Sequence, residues 1–296
     1  MRIARFVHDG VESYGVLRGE GKIIDLPPLS GRGERSVPSS IDGLVSMGSA
    51  AEGLLGELLC RLPDDQEEQV VLKRDYVTLG SPIIAPQKIV CLGLNYRDHA
   101  EEGGVSVPDE PIIFMKPRTA IVGPEEPVVK PSFVTKLDYE VELAIIIGRK
   151  GRNIPVSDAE EYIFGYTVFN DISARDVQFK DGQWTRGKSF DTFAPIGPCL
   201  VTAEQIGDPR NLRLATRVNG ETRQDSSTRL MIFDVYEIVY HLSRVMTLEP
   251  CDIIATGTPA GVAAFMKPEP EFLKPGDTVE VEIEKIGTLR NRIVEE

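Results

Sequence analysis

The sequence predicts a β-rich α+β fold, and three observations predict it. From Lys88 onward, short apolar runs recur between Gly, Pro, Asn and Asp, the punctuation of strands and turns. Strand-like runs (Ile89–Leu94, Ile112–Lys116, Glu140–Ile147, Gly165–Asn170, Ile196–Val201, Leu212–Val218, Asp252–Thr256 and Thr278–Ile283) far outnumber helical ones. Helices are expected only at Tyr96–Glu102, Ser157–Tyr162 and Ile232–Met246, without the strict alternation of a doubly wound parallel sheet.

The first eighty or so residues have a different texture. Ile3–Phe6, Glu12–Leu17 and Lys22–Asp25 read as short strands separated by glycines. Pro28–Ser40 is rich in Gly, Pro and Ser, as loops are, and Ile41–Leu62 spaces its apolar residues as one or two helices would. Pro63–Glu68 is acidic and should be solvated. This segment concentrates no chemically active side chains. The expected division is a small N-terminal α/β domain at 1–82 and a larger domain at 83–296.

Composition narrows the function classes. With 41% hydrophobic and 27% charged residues the chain is an ordinary globular one. No apolar run approaches the roughly 20 residues that span a bilayer. Met1–Phe6 holds no apolar core of a signal peptide, so export is not expected. Cys60, Cys91, Cys199 and Cys251 are scattered without a CxxC pair and fit reduced thiols in a cytoplasmic protein. A net charge of −13 argues against nucleic acid, whose phosphates need clustered Lys and Arg.

Asp138–Ala144 is the most informative stretch. On a strand, residues two apart share a face, so Glu140 and Glu142 project together while Val141 and Leu143 turn the other way. Asp171 follows the apolar run Gly165–Asn170. Three carboxylates without Cys or His suit a hard, oxygen-seeking ion such as Mg²⁺ or Mn²⁺. A solvent-facing Glu-x-Glu with Asp171 as a turn residue has the same spacing, which leaves both readings open.

On the helix after Asn95, a plausible N-cap, His99 and Glu102 are three apart and share a face. A histidine oriented by a carboxylate is a general base; an i,i+3 surface pair is the plainer alternative. Lys188, between Gly187 and a strand-like segment, would stabilise an anionic oxygen if buried, or be a solvated loop lysine if not. Ala255–Gly261 has small residues that let backbone amides approach a ligand, but neither a P-loop lysine nor a GxGxxG after a strand. Nucleotide binding is not indicated.

Seven collinear blocks together resemble the fumarylacetoacetate hydrolase family: NYRDHAEE (95–102), FMKP (114–117), DYEVELA (138–144), GYTVFNDISARDVQ (165–178), GKSFDT (187–192), MIF (231–233) and ATGTPAGV (255–262). They run through the stretch from Lys88 to Glu296. The resemblance implies a β-roll-like catalytic fold, usually dimeric, and Mg²⁺ or Mn²⁺ held by Glu140, Glu142 and Asp171. It implies a catalytic His99–Glu102 dyad with Lys188, and a substrate pocket lined by Arg175, Gln178 and Thr258. In the fumarylacetoacetase of tyrosine breakdown a further metal-binding aspartate precedes the catalytic histidine by seven residues; here that position is Leu92. The chain therefore looks more like the acylpyruvase and oxaloacetate decarboxylase branch.

The implied reaction is cleavage of a carbon–carbon bond in a small 2-oxo acid through a pyruvate enolate, with 103–111 as a polar lid over the site. Two alternatives stand beside it. One is a hydroxymuconate-type isomerase or decarboxylase; the other is a catalytically weak binding protein that keeps the fold.

Overall fold

The computed structural model describes residues 1–19, 21–30, 36–60 and 70–296. The acidic stretch expected to be solvated at Pro63–Glu68 lies outside the described residues, as does part of the expected loop at Pro28–Ser40.

One large sheet carries the molecule. Its strands run in the order Val71–Lys73, Lys22–Asp25, Val11–Arg18, Arg2–His8, Ala194–Thr202, Ile163–Asn170, Val141–Ile147, Ile253–Ala255, Ile89–Gly93 and Ile112–Lys116. Arg2–His8 pairs antiparallel with Ala194–Thr202 (Arg2 opposite Val201, Ile3 opposite Leu200) and carries the N-terminal hairpins into the same sheet. A second, five-stranded sheet is ordered Glu221–Ser227, Arg213–Val218, Thr278–Ile283, Gly287–Glu295 and Val128–Lys130. A short ladder between Leu137–Asp138 and Ser173–Ala174 bridges the segments that flank the two acidic motifs.

The central strand Val141–Ile147 is wholly buried and reads as a continuous apolar run after Glu142, as a strand covered on both faces must. Its alternate residues feed two cores. Leu143, Ile145 and Ile147 pack with Leu214, Val281, Ile283 and Leu289 of the second sheet. Ala144 and Ile146 pack with Leu44, Val45, Ala51 and Leu55 of the helices Ile41–Val45 and Ala50–Cys60. Each fully buried Leu, Ile or Val among them contributes about 1.5–3 kcal/mol relative to exposure, and the alanines less. The described residues of 1–82 thus share both a sheet and a core with the rest of the chain.

The expected helix Ile232–Met246 is observed at Val235–Val245, started by a capping box in which Asp234 accepts from the amide of Glu237 and Glu237 accepts from that of Asp234. The expected helix near His99 spans Arg97–Gly103 and ends at Gly104 in the left-handed region. The helix expected at Ser157–Tyr162 is observed as a 3₁₀ helix at Val156–Tyr162. Among the described residues no helix is long and apolar enough to cross a membrane.

Candidate active site

The antiparallel pairing of Val141–Ile147 with Ile163–Asn170 aligns Val141 with Asn170 and so brings the two acidic motifs side by side. The Asn170 side chain accepts from the amide of Glu140, and the amide of Asp171 donates to the Glu140 carbonyl at 2.9 Å. Glu140, Glu142 and Asp171 consequently present one carboxylate oxygen each within 4.8 Å of one another. All three are buried, which removes the solvent-facing alternative left open by spacing.

Lysines and an arginine surround this negative charge. Lys188 Nζ donates to Glu140 Oε2 at 2.9 Å, Asp171 Oδ2 at 2.6 Å and Ser173 Oγ at 2.8 Å. It is 2% exposed, so the solvated-loop reading of this lysine is also removed. Lys116, which sequence reasoning passed over, donates to the other oxygen of Asp171 and to the Ile172 carbonyl at 3.1 Å. Arg175 donates from Nε to Asp138 at 2.8 Å and from Nη1 to Gln178 at 3.0 Å, and pairs through Nη2 with Glu140 at 2.6 Å.

These contacts separate the two glutamates electrostatically. Burial opposes ionisation of Glu140, but Lys188 and Arg175 outweigh it and hold the carboxyl at about 2. Burial, reinforced by the charges of Asp171 and Glu140, pushes the Glu142 carboxyl well above the ordinary range. Oε2 of Glu142 accepts from the Gly257 amide at 2.8 Å, whereas Oε1 is buried with no hydrogen-bond partner among the described residues. A buried carboxylate oxygen is expensive to leave unpaired. An all-oxygen cluster with one such oxygen fits a hard divalent cation, with Glu140, Glu142 and Asp171 as its protein ligands.

His99 is 8% exposed, with Nδ1 3.5 Å from Glu102 Oε2. Glu102 in turn accepts from the Gly261 amide at 3.1 and 3.2 Å, which fixes the carboxylate from the Ala255–Gly261 loop. Asn95 does not cap the helix as expected: the N-cap is Tyr96, without a side-chain cap bond. Instead the Asn95 amide donates to the carbonyls of Thr256 and Phe233 and accepts from the Phe233 amide, tying the His99 helix to two other segments.

A cavity of about 80 Å³ joins these groups. Its polar lining comes from Glu140, His99, Arg175, Gln178, Lys188 and Thr258, and its apolar lining from Leu92, Phe114, Phe179, Trp184 and Phe265. Trp184 reaches the wall because Gly93 has no side chain: a Cβ there would sit 1.8 Å from its ring. Of the site residues expected from the sequence, His99, Glu140, Arg175, Gln178, Lys188 and Thr258 line this cavity, Glu142 and Asp171 complete the carboxylate cluster, and Glu102 lies beside His99 without lining the cavity. Lys116, Asp138, Asn95 and Gln224 were missed; the FMKP and DYEVELA blocks contain the first two.

The profile described as "Fumarylacetoacetate (FAA) hydrolase C-terminal" matches residues 88–294. The chain belongs to the fumarylacetoacetate hydrolase family. It is 47% identical over 289 residues to the mitochondrial oxaloacetate tautomerase of Rattus norvegicus, covering 97% of this chain and 87% of the relative. The fumarylacetoacetate hydrolase structure from the psychrophile Exiguobacterium antarcticum superposes with TM-score 0.84 at 38% identity, covering all of both chains. The 5-carboxymethyl-2-hydroxymuconate delta-isomerase structure from Mycobacterium smegmatis has TM-score 0.77 at 36% identity, covering 100% of this chain and 99% of that one. The β-rich fold expected from the resemblance is therefore the fold of this family, and the chain is an enzyme of that family acting on small molecules.

Proposed function

We propose that the enzyme interconverts the keto and enol forms of a small 2-oxo diacid of the oxaloacetate type, with Mg²⁺ or Mn²⁺ held by Glu140, Glu142 and Asp171. The observation that carries this reading is the buried oxygen of Glu142 without a hydrogen-bond partner among the described residues, in a carboxylate cluster whose Glu140 lines the same cavity as His99. A divalent cation supplies a positive charge that stabilises negative charge developing on the 2-oxo oxygen. His99, its Nδ1 turned to Glu102, keeps Nε2 for the ligand. It takes a proton from C3 as the C2–C3 double bond forms and returns that same proton, directly or through a water, to the C2 oxygen, which completes the enol and restores neutral His99. Lys188 places a second positive charge beside the same oxygens. The relative named an oxaloacetate tautomerase, at 47% identity across nearly the whole chain, supports placing this reaction first.

Cleavage of the C3–C4 bond, the reaction first expected from the sequence, is the second reading, because decarboxylation of oxaloacetate or hydrolysis of an acylpyruvate passes through the same enolate. The third, isomerisation of a hydroxymuconate, draws on the named Mycobacterium smegmatis structure and the same proton transfers. The division at 82/83 belongs to this proposal as a division of labour: every residue invoked lies after it. So does a homodimer, a cytoplasmic setting and closure of 103–111 over the ligand, where Val105 and Val107 stand exposed.

The test follows oxaloacetate, acetylpyruvate and fumarylpyruvate with Mg²⁺ or Mn²⁺, recording loss of enol absorbance and release of pyruvate in the same sample. Enol decay that outpaces pyruvate release supports tautomerisation. Pyruvate release at the rate of enol decay transfers the conclusion to cleavage. No turnover of any substrate by metal-loaded protein overturns both.

A further inference from the structure

Gln224 lies outside the carboxylate cluster, on the edge strand Glu221–Ser227 of the second sheet, where its neighbours are polar and more exposed than it is. It is 1% exposed, and its amide makes four hydrogen bonds. The Val141 amide donates to Oε1 at 3.1 Å and the Thr216 hydroxyl donates to Oε1 at 2.7 Å. Nε2 donates to the Pro259 carbonyl at 2.9 Å and to Thr258 Oγ1 at 2.9 Å. A backbone N–H cannot accept and a carbonyl cannot donate, so the orientation of this amide is set twice over.

We propose that Gln224 is a positioning residue that fixes the Thr258 hydroxyl as a hydrogen-bond donor into the cavity, where it recognises a carboxylate oxygen of the ligand. Because Thr258 accepts from Gln224, its own O–H is left to donate, and no acceptor for it is found among the described residues. Thr258 is 4% exposed and lines the cavity with Glu140, His99 and Lys188. A buried donor in a cavity that Lys188 and Arg175 also line matches an anionic oxygen and rejects a donor group, which would leave two protons facing each other. Gln224 also binds the peptide between Glu140 and Glu142, so one side chain holds both the metal-ligand strand and the ligand loop in register. The inference rests on the proposed function, in that the ligand is taken to carry a carboxylate.

Oxalate serves as the probe, titrated calorimetrically into Mg²⁺-saturated protein, with oxamate, in which an amide donor replaces one carboxylate oxygen, as its control. Gln224→Glu substitutes an acceptor for the donor and turns the Thr258 proton away from the cavity. Oxalate affinity should fall about tenfold or more, and oxamate affinity by clearly less. Thr258→Val should cause a comparable loss of oxalate with unchanged Mg²⁺ affinity, Thr258→Ser should restore it, and Gln224→Glu combined with Thr258→Val should lose little beyond either alone. Equal losses of oxalate and oxamate in Gln224→Glu would reduce Gln224 to a structural role and overturn the inference. So would unaltered oxalate binding in Thr258→Val, a result available even if the Gln224 variant does not fold. Wild-type protein that binds Mg²⁺ but neither probe sinks the functional reading itself, and this inference with it.

Discussion

The amide of Gly257 donates to Oε2 of Glu142 at 2.8 Å from a backbone that only glycine holds comfortably, with φ at +92° and the position of a Cβ 2.8 Å from Asn95 Cβ. The bond engages one oxygen of the carboxylate and leaves the other, Oε1, without a hydrogen-bond partner among the described residues. Gly257→Ala strains the turn and shifts this amide. Loss of a partner that orients a metal ligand typically weakens binding by about 10- to 100-fold. Mg²⁺ affinity measured by calorimetry should fall accordingly, while Gly56→Ala, where a Cβ meets open space, should leave it unchanged. An unaltered affinity in Gly257→Ala would remove Glu142 from the ligand set.

The raised carboxyl of Glu142 makes stability depend on pH, and a bound metal should remove that dependence. Burial first, and the charges of Asp171 and Glu140 next, favour the protonated form in the fold. Above the ordinary value of 4.5 the metal-free folded state therefore binds a proton that the unfolded chain has released. Its stability falls as pH rises through the window up to the elevated folded value, with a slope approaching about 1.4 kcal/mol per pH unit for one proton. Glu140, held low, is ionised in both states there and adds no slope. Melting curves of metal-free protein should show the decline; saturating Mg²⁺ or Glu142→Gln should flatten it. Parallel pH profiles with and without Mg²⁺ would refute the account.

His99 and Glu102 are expected to divide base chemistry from metal binding. The pair stands at 3.5 Å, and Glu102 is anchored to Gly261 rather than to the carboxylate cluster. His99→Ala should lower kcat by about 10²- to 10⁴-fold, the usual range for a lost general base, with Mg²⁺ affinity within twofold of wild type. Glu102→Gln, which keeps the size of the side chain but not its charge, should fall between. A His99→Ala enzyme of normal kcat would move the proton transfer to another residue.

How legible all this was in the sequence varied with the kind of residue. The strand Val141–Ile147 and the facing Glu140–Glu142 pair follow from period-two geometry and an unbroken apolar run. Asp171 needed the strand pairing of Val141 with Asn170, a tertiary fact that no local pattern encodes. Gln224 was hidden because Glu221–Ser227 is a polar edge strand without apolar alternation, and a buried glutamine there looks like its exposed neighbours. Gly287–Glu295 is the opposite case: Leu289, Asn291 and Ile293 alternate inward, so the strand was readable but masked by its charged outer face. Asn95 had the residue type and place of a helix cap, but the two carbonyls and the amide it reaches come from distant segments.

Among the described residues the edge strand Ile112–Lys116 pairs on one side only, with Ile89–Gly93, and its side chains divide between two roles. Phe114 and Lys116 turn inward to the site, while Ile112, Ile113 and Met115 remain 38%, 40% and 41% exposed. An open strand edge with apolar outward residues is a pairing surface unless something covers it. A second copy of the chain is the expected cover, in keeping with the proposed dimer. Ile113→Lys and Met115→Lys place charge on that face without altering the inward residues, and sedimentation velocity should then shift from dimer toward monomer. Because Lys116 on the same strand holds Asp171, separation of the copies should also weaken Mg²⁺ binding, by about tenfold if the strand frays. A wild-type protein that sediments as a monomer at micromolar concentration, or a Met115→Lys dimer unchanged from wild type, would assign the exposed face to something other than self-association.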